Sequence, residues 1–234
     1  MKNYLLSIVY LFIFFFNCQI IYAFPIAKPG TEGIEIIVNT SEPVIATYQG
    51  NSANYSNDLY LLLDSSGQPG DDGILSNDLF IFNNHRSPVG AKQEIGTFQI
   101  GTKLIFRLYV NNTGINFYTG PAKRNPDNHT HARVQGDWKH NEALVSFEDL
   151  YNGGTQGFHY NDLSFSFTNV QAFEKPIVSG CITLKDSPIK NGKAMLMQSG
   201  QLFQSVPLDK NGCYEFYKVQ EDQPFNVTIR RLTE

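Results

Sequence analysis

The chain reads as all-β, an antiparallel β-sandwich with a smaller β module behind it. Three observations carry that expectation. Helical periodicity is nearly absent, so no segment offers the apolar stripe that a packed helix needs. Short apolar or alternating runs recur instead, each closed by Gly, Asn, Asp or Pro, which is the pattern of strands joined by turns. Finally, 18 Phe and 12 Tyr supply the bulk that fills the space between two sheets.

The first segment is of another kind. "MKNYLLSIVYLFIFFFNCQIIYAF" opens with Lys2, continues as an apolar run from Tyr4 to Phe16, and ends on Ile21-Tyr22-Ala23. A short basic start, an apolar middle and a small residue at the end describe a secretory signal peptide over 1–23, cleaved after Ala23. An uncleaved membrane anchor is the alternative reading. No later segment is apolar enough to span a bilayer. The expected location is therefore secreted, periplasmic or cell-surface. Removing the signal takes one lysine and no acid, which leaves the chain more acidic than its formal −4. That charge argues against a nucleic-acid partner and favours cations.

The strands follow in order. "GIEIIV", "LYLLL", "LFIF", "TFQI", "KLIFRLYV", "INFYT", "HARVQ", "ALVSF", "LSFSF" and "CITL" all read as strands. "KLIFRLYV" puts Leu104, Phe106, Leu108 and Val110 on one face and Lys103 and Arg107 on the other. "LSFSF" does the same with Leu163, Phe165 and Phe167 against Ser164 and Ser166, so the sheet is expected to have one wet side. Lys175-Pro176 in "FEKPIVSG" interrupts the aromatic strands. The expected organisation is a larger β-sandwich over 24–175 and a small module over 177–234.

"SNDL" occurs at Ser56 to Leu59 and at Ser76 to Leu79, and "YNDL" at Tyr160 to Leu163. An Asn-Asp pair suits a turn, and equally supplies hard oxygen ligands to a cation. Four stretches bear on the choice: "GTFQIGTKLIFRLYVNNTG", "FYTGPAKRNPDNHTHARV", "ALVSFEDLYNGG" and "FHYNDLSFSFTNV". With "NPD", "HA", "FEDL" and "YNDL" in that order, they resemble a bacterial domain family of unknown function found in secreted and surface proteins. The resemblance implies a jelly-roll-like, all-β, calcium-associated extracytoplasmic domain with no catalytic activity. The chain departs from the family in its loop, "NGGTQGFHYNDL" where relatives carry "GGGDxDYNDL", so two loop acids are replaced around Thr155, Gln156 and His159.

A second resemblance rests on "VSGCITLKDSPIKNGKAMLM" and "LDKNGCYEFYKVQEDQPFNVTI". Val178, Gly180, Ile182, Asp209, Gly212, Tyr214 and Phe216 match the pattern of carboxypeptidase regulatory-like modules. This implies a small immunoglobulin- or transthyretin-like β-sandwich that acts as a spacer or interaction module. Cys181 and Cys213 are an even pair once Cys18 leaves with the signal, and export favours oxidation. Related folds place the two cysteine strands close together, so a Cys181–Cys213 disulfide is expected.

Glu148 and Asp149 end one strand and Asn161 and Asp162 begin the next, with "LYNGGTQGFHY" folding back between them. Three carboxylates brought together repel one another unless a cation joins them, and calcium takes six to eight oxygens of this kind. Calcium is thus the expected structural ion, with Glu148, Asp149, Asn161 and Asp162 as ligands and Asn125 and Asp127 as further candidates. The competing reading is that Asp149 and Asp162 cap loop amides. The pairs at Asn57-Asp58 and Asn77-Asp78 read as turns. His129 and His131 share a strand face, but no third ligand follows at zinc or copper spacing. They read as exposed or hydrogen-bonded histidines. "DSSGQPGDDG" lacks the spacing of an EF-hand and reads as a hairpin loop. No nucleophile elbow, phosphate loop, dinucleotide fingerprint or zincin motif occurs.

The function these readings imply is a non-enzymatic exported bacterial protein for surface or matrix attachment, or for ligand binding, with glycan or surface protein as partner. One alternative is a carbohydrate-binding module that stacks sugars on Tyr118, Trp138, Tyr151 or Tyr160. The other is a hydrolase whose site no motif encodes.

Overall fold

Every second side chain of most strands turns inward, and two layers of such strands close over one aromatic core. A computed structural model describes residues 24–173, 178–217 and 224–231. The signal-peptide segment 1–23 and the boundary expected near residues 175–177 lie outside those described. Twelve strands build the larger part. They are β1 (Glu35–Val38), β2 (Val44–Asn51), β3 (Asn57–Leu61), β4 (Leu79–Asn83), β5 (Lys92–Gly96), β6 (Lys103–Leu104), β7 (Phe106–Val110), β8 (Ile115–Tyr118), β9 (Ala132–Lys139), β10 (Glu142–Phe147), β11 (Leu163–Thr168) and β12 (Val170–Phe173).

These form a five-stranded sheet in the order β5-β2-β11-β10-β9, a four-stranded sheet β4-β3-β7-β8 and a three-stranded sheet β12-β1-β6. All the pairings are antiparallel, so the all-β sandwich architecture is as the sequence implies. The two larger sheets meet through aromatic rings. Phe106 stacks on Phe167 at 4.0 Å between centroids, and Phe82 lies parallel to Phe165 at 6.3 Å. Tyr48, Leu59, Leu108, Val145 and Phe147 complete the same buried cluster.

The structure departs from the sequence reading in several places. "CITL" is divided, with Ile182 between two strands. "KLIFRLYV" is two strands, because the chain turns a corner at Ile105. Leu104 pairs with Ile36 of β1, while Phe106 pairs with Leu61 of β3 in another sheet. "TFQI" is not a strand; pairing ends one residue earlier, at Gly96, which holds φ 135° and lies under the ring of Phe98. Strand β2, between β5 and β11, was not anticipated, although Val44, Ala46 and Tyr48 alternate inward. The expected wet face is largely dry. Ser164 and Ser166 are fully buried. Ser146 Oγ accepts the backbone N–H of Ala27 at 2.8 Å and bonds Ser164 Oγ at 2.8 Å, so the segment before β1 covers that face of the five-stranded sheet.

Seven more strands follow: β13 (Val178–Cys181), β14 (Thr183–Leu184), β15 (Ser187–Pro188), β16 (Gly192–Gln198), β17 (Gln201–Pro207), β18 (Cys213–Phe216) and β19 (Phe225–Arg231). They make sheets β17-β16-β19, β13-β18 and β14-β15, and pair with none of the first twelve. Ala194, Leu196, Val206, Leu208 and Phe216 form their own buried cluster. Cys181 lies opposite Cys213 in the β13–β18 register, and the two are disulfide-bonded with Cα atoms 3.9 Å apart. This part rests on the larger one. Asp71 accepts the Lys210 N–H at 2.8 Å, Lys103 is ion-paired with Glu215, and the rings of Phe173 and Tyr217 lie 5.9 Å apart.

Candidate metal centre

The β10–β11 hairpin sets the site. Phe147 pairs with Leu163 as the last rung, so the residues just beyond, Glu148-Asp149 and Asn161-Asp162, face each other at one end of the sheet. The loop between them is shaped by Gly153 and Gly154, at φ 67° and 61°. A Cβ on Gly153 would come within 2.8 Å of the Phe158 backbone nitrogen. Tyr160 also holds a left-handed φ of 55°, a conformation costly for a bulky residue. Its ring is anchored by a hydroxyl bond to the Thr130 carbonyl at 3.0 Å and by the Arg133 guanidinium 4.4 Å above it.

Carboxylate oxygens of Glu148, Asp149 and Asp162 all lie within 4.8 Å of one another. Glu148 and Asp149 are buried and Asp162 is partly so. Glu148 Oε2 accepts the N–H groups of His159 at 3.0 Å and Tyr160 at 3.4 Å, and Asp162 Oδ2 accepts the Asp149 N–H at 2.8 Å. The capping bonds of the competing reading are therefore present, yet they do not neutralise the charge. Among the described residues no Lys or Arg is ion-paired with these three acids, and Arg133, whose guanidinium sits over Tyr160, is paired with Glu32.

The titration of all three acids reflects this. Burial pushes Glu148 above the usual carboxylate range, with repulsion from Asp162 added. Burial and the Glu148 charge raise Asp149. Asp162 is pushed up to about 6, first by burial and then by the charge of Asp149. Three acids raised together, with no cation among the described residues ion-paired to them, would be relieved by a proton or a metal ion.

A buried amide adjoins the cluster. Asn57, at the start of β3, is 1% exposed and donates from Nδ2 to Asp149 Oδ2 at 2.8 Å. Its Oδ1 is buried without a protein hydrogen-bond donor. Three carboxylates and a side-chain amide whose oxygen has no partner offer oxygen donors alone, which suits a hard cation.

Of the other expected site residues, Asn161 is partly buried between Tyr160 and Asp162, and its backbone carbonyl accepts Ser52 Oγ at 2.6 Å. Asn125 Oδ1 accepts the Tyr118 N–H at 2.7 Å, so its side chain closes its own turn. Asp127 lies outside the cluster and accepts from the N–H groups of His129 at 3.1 Å and Asn152 at 2.8 Å. Burial opposes ionisation of Asp127, but the Asn152, His131 and His129 hydrogen bonds prevail and hold its carboxyl below the usual range. His131 is fully buried, stacked on Phe117 at 3.7 Å, with Nε2 2.8 Å from Asp127 and Nδ1 2.9 Å from the Glu148 carbonyl. It is a hydrogen-bonded core histidine that ties the "NPD" loop to the back of the cluster.

Of the two "SNDL" pairs, Asn77-Asp78 closes a 3-10 turn over Leu75–Asn77, as the sequence suggests, whereas Asn57-Asp58 is not a turn. Asn57 and Asp58 lie within β3, and Asp78 is in a buried ion pair with Arg107 at 2.9 Å. The sequence signal that could have nominated Asn57 is the repetition itself, three Asn-Asp-Leu strand entries of which two meet at one place.

No family model, curated protein or solved structure matches the chain. The functional reading therefore stands on residues and geometry.

Proposed function

We propose that the chain is an exported, non-enzymatic β protein that carries a structural calcium ion and serves in surface or matrix attachment or ligand binding. The observation that carries this reading is the set of three clustered carboxylates, two buried and one partly so, with an orphaned amide oxygen on the adjoining Asn57 and no Lys or Arg among the described residues ion-paired to them. Glu148, Asp149, Asp162 and Asn57 are the residues that would hold the ion, with water or backbone carbonyls completing the shell. Calcium fits better than zinc, because the set offers no nitrogen or sulfur. It would supply fixed positive charge and nothing more.

The chain's own residues then explain what the ion is for. Asn57 begins β3, Glu148 and Asp149 follow β10, and Asp162 precedes β11. One ion would fasten the ends of both facing sheets and the loop between β10 and β11. Few charged ligands and an exposed loop place the affinity at about 10⁻⁴ to 10⁻³ M, the range of extracellular modules. Such a site fills only where calcium is abundant, which accords with a signal peptide and a disulfide. Melting in millimolar calcium, millimolar magnesium and chelator tests the reading. Calcium is expected to raise the melting temperature well beyond magnesium. Equal curves in calcium and chelator would refute it.

A further inference from the structure

The outward face of the four-stranded sheet carries a second arrangement, separate from the acidic cluster. Leu59 and Leu61 of β3 point into the core, so Asp58 and Tyr60 point away from it. Tyr60 lies opposite Phe80 on the edge strand β4, their rings edge to face at 5.5 Å. Phe80 is 44% exposed, large for an aromatic side chain on a sheet. Asp58, Tyr60, Phe80, Asn83, Arg86 and Ser87 line an open depression of about 420 Å³.

Its polar groups are held in place. Asn83 Nδ2 donates to Asp58 Oδ1 at 2.6 Å, and the Asn83 amide oxygen accepts the N–H groups of His85 and Arg86 at 3.0 Å each. Arg86, with a 74% exposed side chain, reaches Asp58 at 3.5 Å from the rim. Arg107 lies 4.1 Å from the Tyr60 ring centroid and pairs with Asp78. The depression itself is lined by one carboxylate, Asp58, and one guanidinium, Arg86, which pair with each other, so it favours an uncharged ligand over an anionic or cationic one.

We infer that this depression binds a neutral sugar chain, with Tyr60 and Phe80 as the stacking surface and Asp58 and Arg86 as hydrogen-bonding groups. Pyranose rings present apolar C–H faces to aromatic rings and vicinal hydroxyls at their edges. A carboxylate and a guanidinium bind such paired hydroxyls through two parallel hydrogen bonds. An apolar protein partner would favour a face without this many ordered polar groups. Two of the four aromatic residues that sequence alone suggested, Tyr160 and Trp138, are less suited. Tyr160 is buried under Arg133, and the Trp138 ring is covered by Lys139 at 3.7 Å.

The test is calorimetric titration of the mature chain, in millimolar calcium, with cellohexaose, xylohexaose, mannohexaose, laminarihexaose and maltohexaose. Polygalacturonate serves as the anionic comparison. Saturable binding of at least one neutral hexaose is expected. Phe80→Ala and Arg86→Ala, both at exposed positions, should each weaken it by about tenfold or more, and Phe80→Trp should retain it. Both alanine variants should keep the calcium-dependent melting shift of the parent, so failure here is distinguishable from failure of the metal reading. Absence of binding to all five, retention by polygalacturonate alone, or equal binding by the Phe80→Ala and Arg86→Ala variants would overturn the inference.

Discussion

Asp162→Asn should stabilise the protein in chelator and destabilise it, relative to the parent, in calcium. The substitution removes one charge from the cluster but keeps an amide oxygen to accept the Asp149 N–H, now bonded at 2.8 Å. Raising a carboxyl from its ordinary 3.8 to about 6 costs its ionised form ~3 kcal/mol at neutral pH. Without metal, the parent carries that cost and the variant does not. For a chain of this size each kcal/mol moves the midpoint by roughly 2 to 4 °C, so the variant should melt up to roughly 10 °C higher in chelator. Calcium at 100 times its dissociation constant adds about 2.7 kcal/mol to the parent and little to the variant, which has lost a charged ligand. Plotted against calcium, the two melting curves should converge or cross. The assay is differential scanning calorimetry at pH 7.5 over a calcium series. A variant that melts lower than the parent in chelator would refute the reasoning, because the carboxylate would then act as a stabilising cap.

The pH response follows from the same acids. Asp162, Glu148 and Asp149 all have raised values, so the metal-free fold binds their protons more tightly than the unfolded chain does. Their contribution is fully present below the unfolded value and is lost as pH rises through the folded one. In chelator the midpoint should therefore rise from pH 7.5 to pH 5, whereas in calcium that gain should shrink as protons displace the ion. Asp127, held low, stays ionised across this window and does not confound it. Asp78→Ala should cost about 3 to 5 kcal/mol in urea unfolding, since it strands the buried Arg107 guanidinium; a loss under 1 kcal/mol would contradict the buried pair. Reducing Cys181–Cys213, a loop spanning 32 positions, should cost roughly 3 to 4 kcal/mol. That loss should fall on the C-terminal strands, read as faster proteolysis there with the aromatic core's near-ultraviolet signal retained.

Strand identity was legible for most strands with one buried face, because alternation is a local property of the backbone; β2, which alternates in the same way, was missed. "LSFSF" and "ALVSF" became β11 and β10, and their shared turn put Glu148, Asp149 and Asp162 together as the sequence suggests. What the sequence could not show depends on contacts distant along the chain. Ser164 and Ser166 alternate as a wet face would, yet the segment from Phe24 to Ile34 runs over part of that face. Arg107 looks like a surface residue and is buried because Asp78 arrives from 29 positions away. Asn57 was read as turn chemistry for the same reason: its partner Asp149 is separated from it by 92 positions. Asn125 and Asp127 were nominated by composition, but their side chains serve local turns and His131.

The central claim is that the buried cluster holds calcium, and a crystal structure grown in millimolar calcium tests it most directly. The prediction is an anomalous peak within about 2.3 to 2.6 Å of oxygens from Glu148, Asp149 and Asp162, with Asn57 Oδ1 turned toward it. Carboxylates in contact with one another through a shared proton, with no anomalous peak between them, would contradict it.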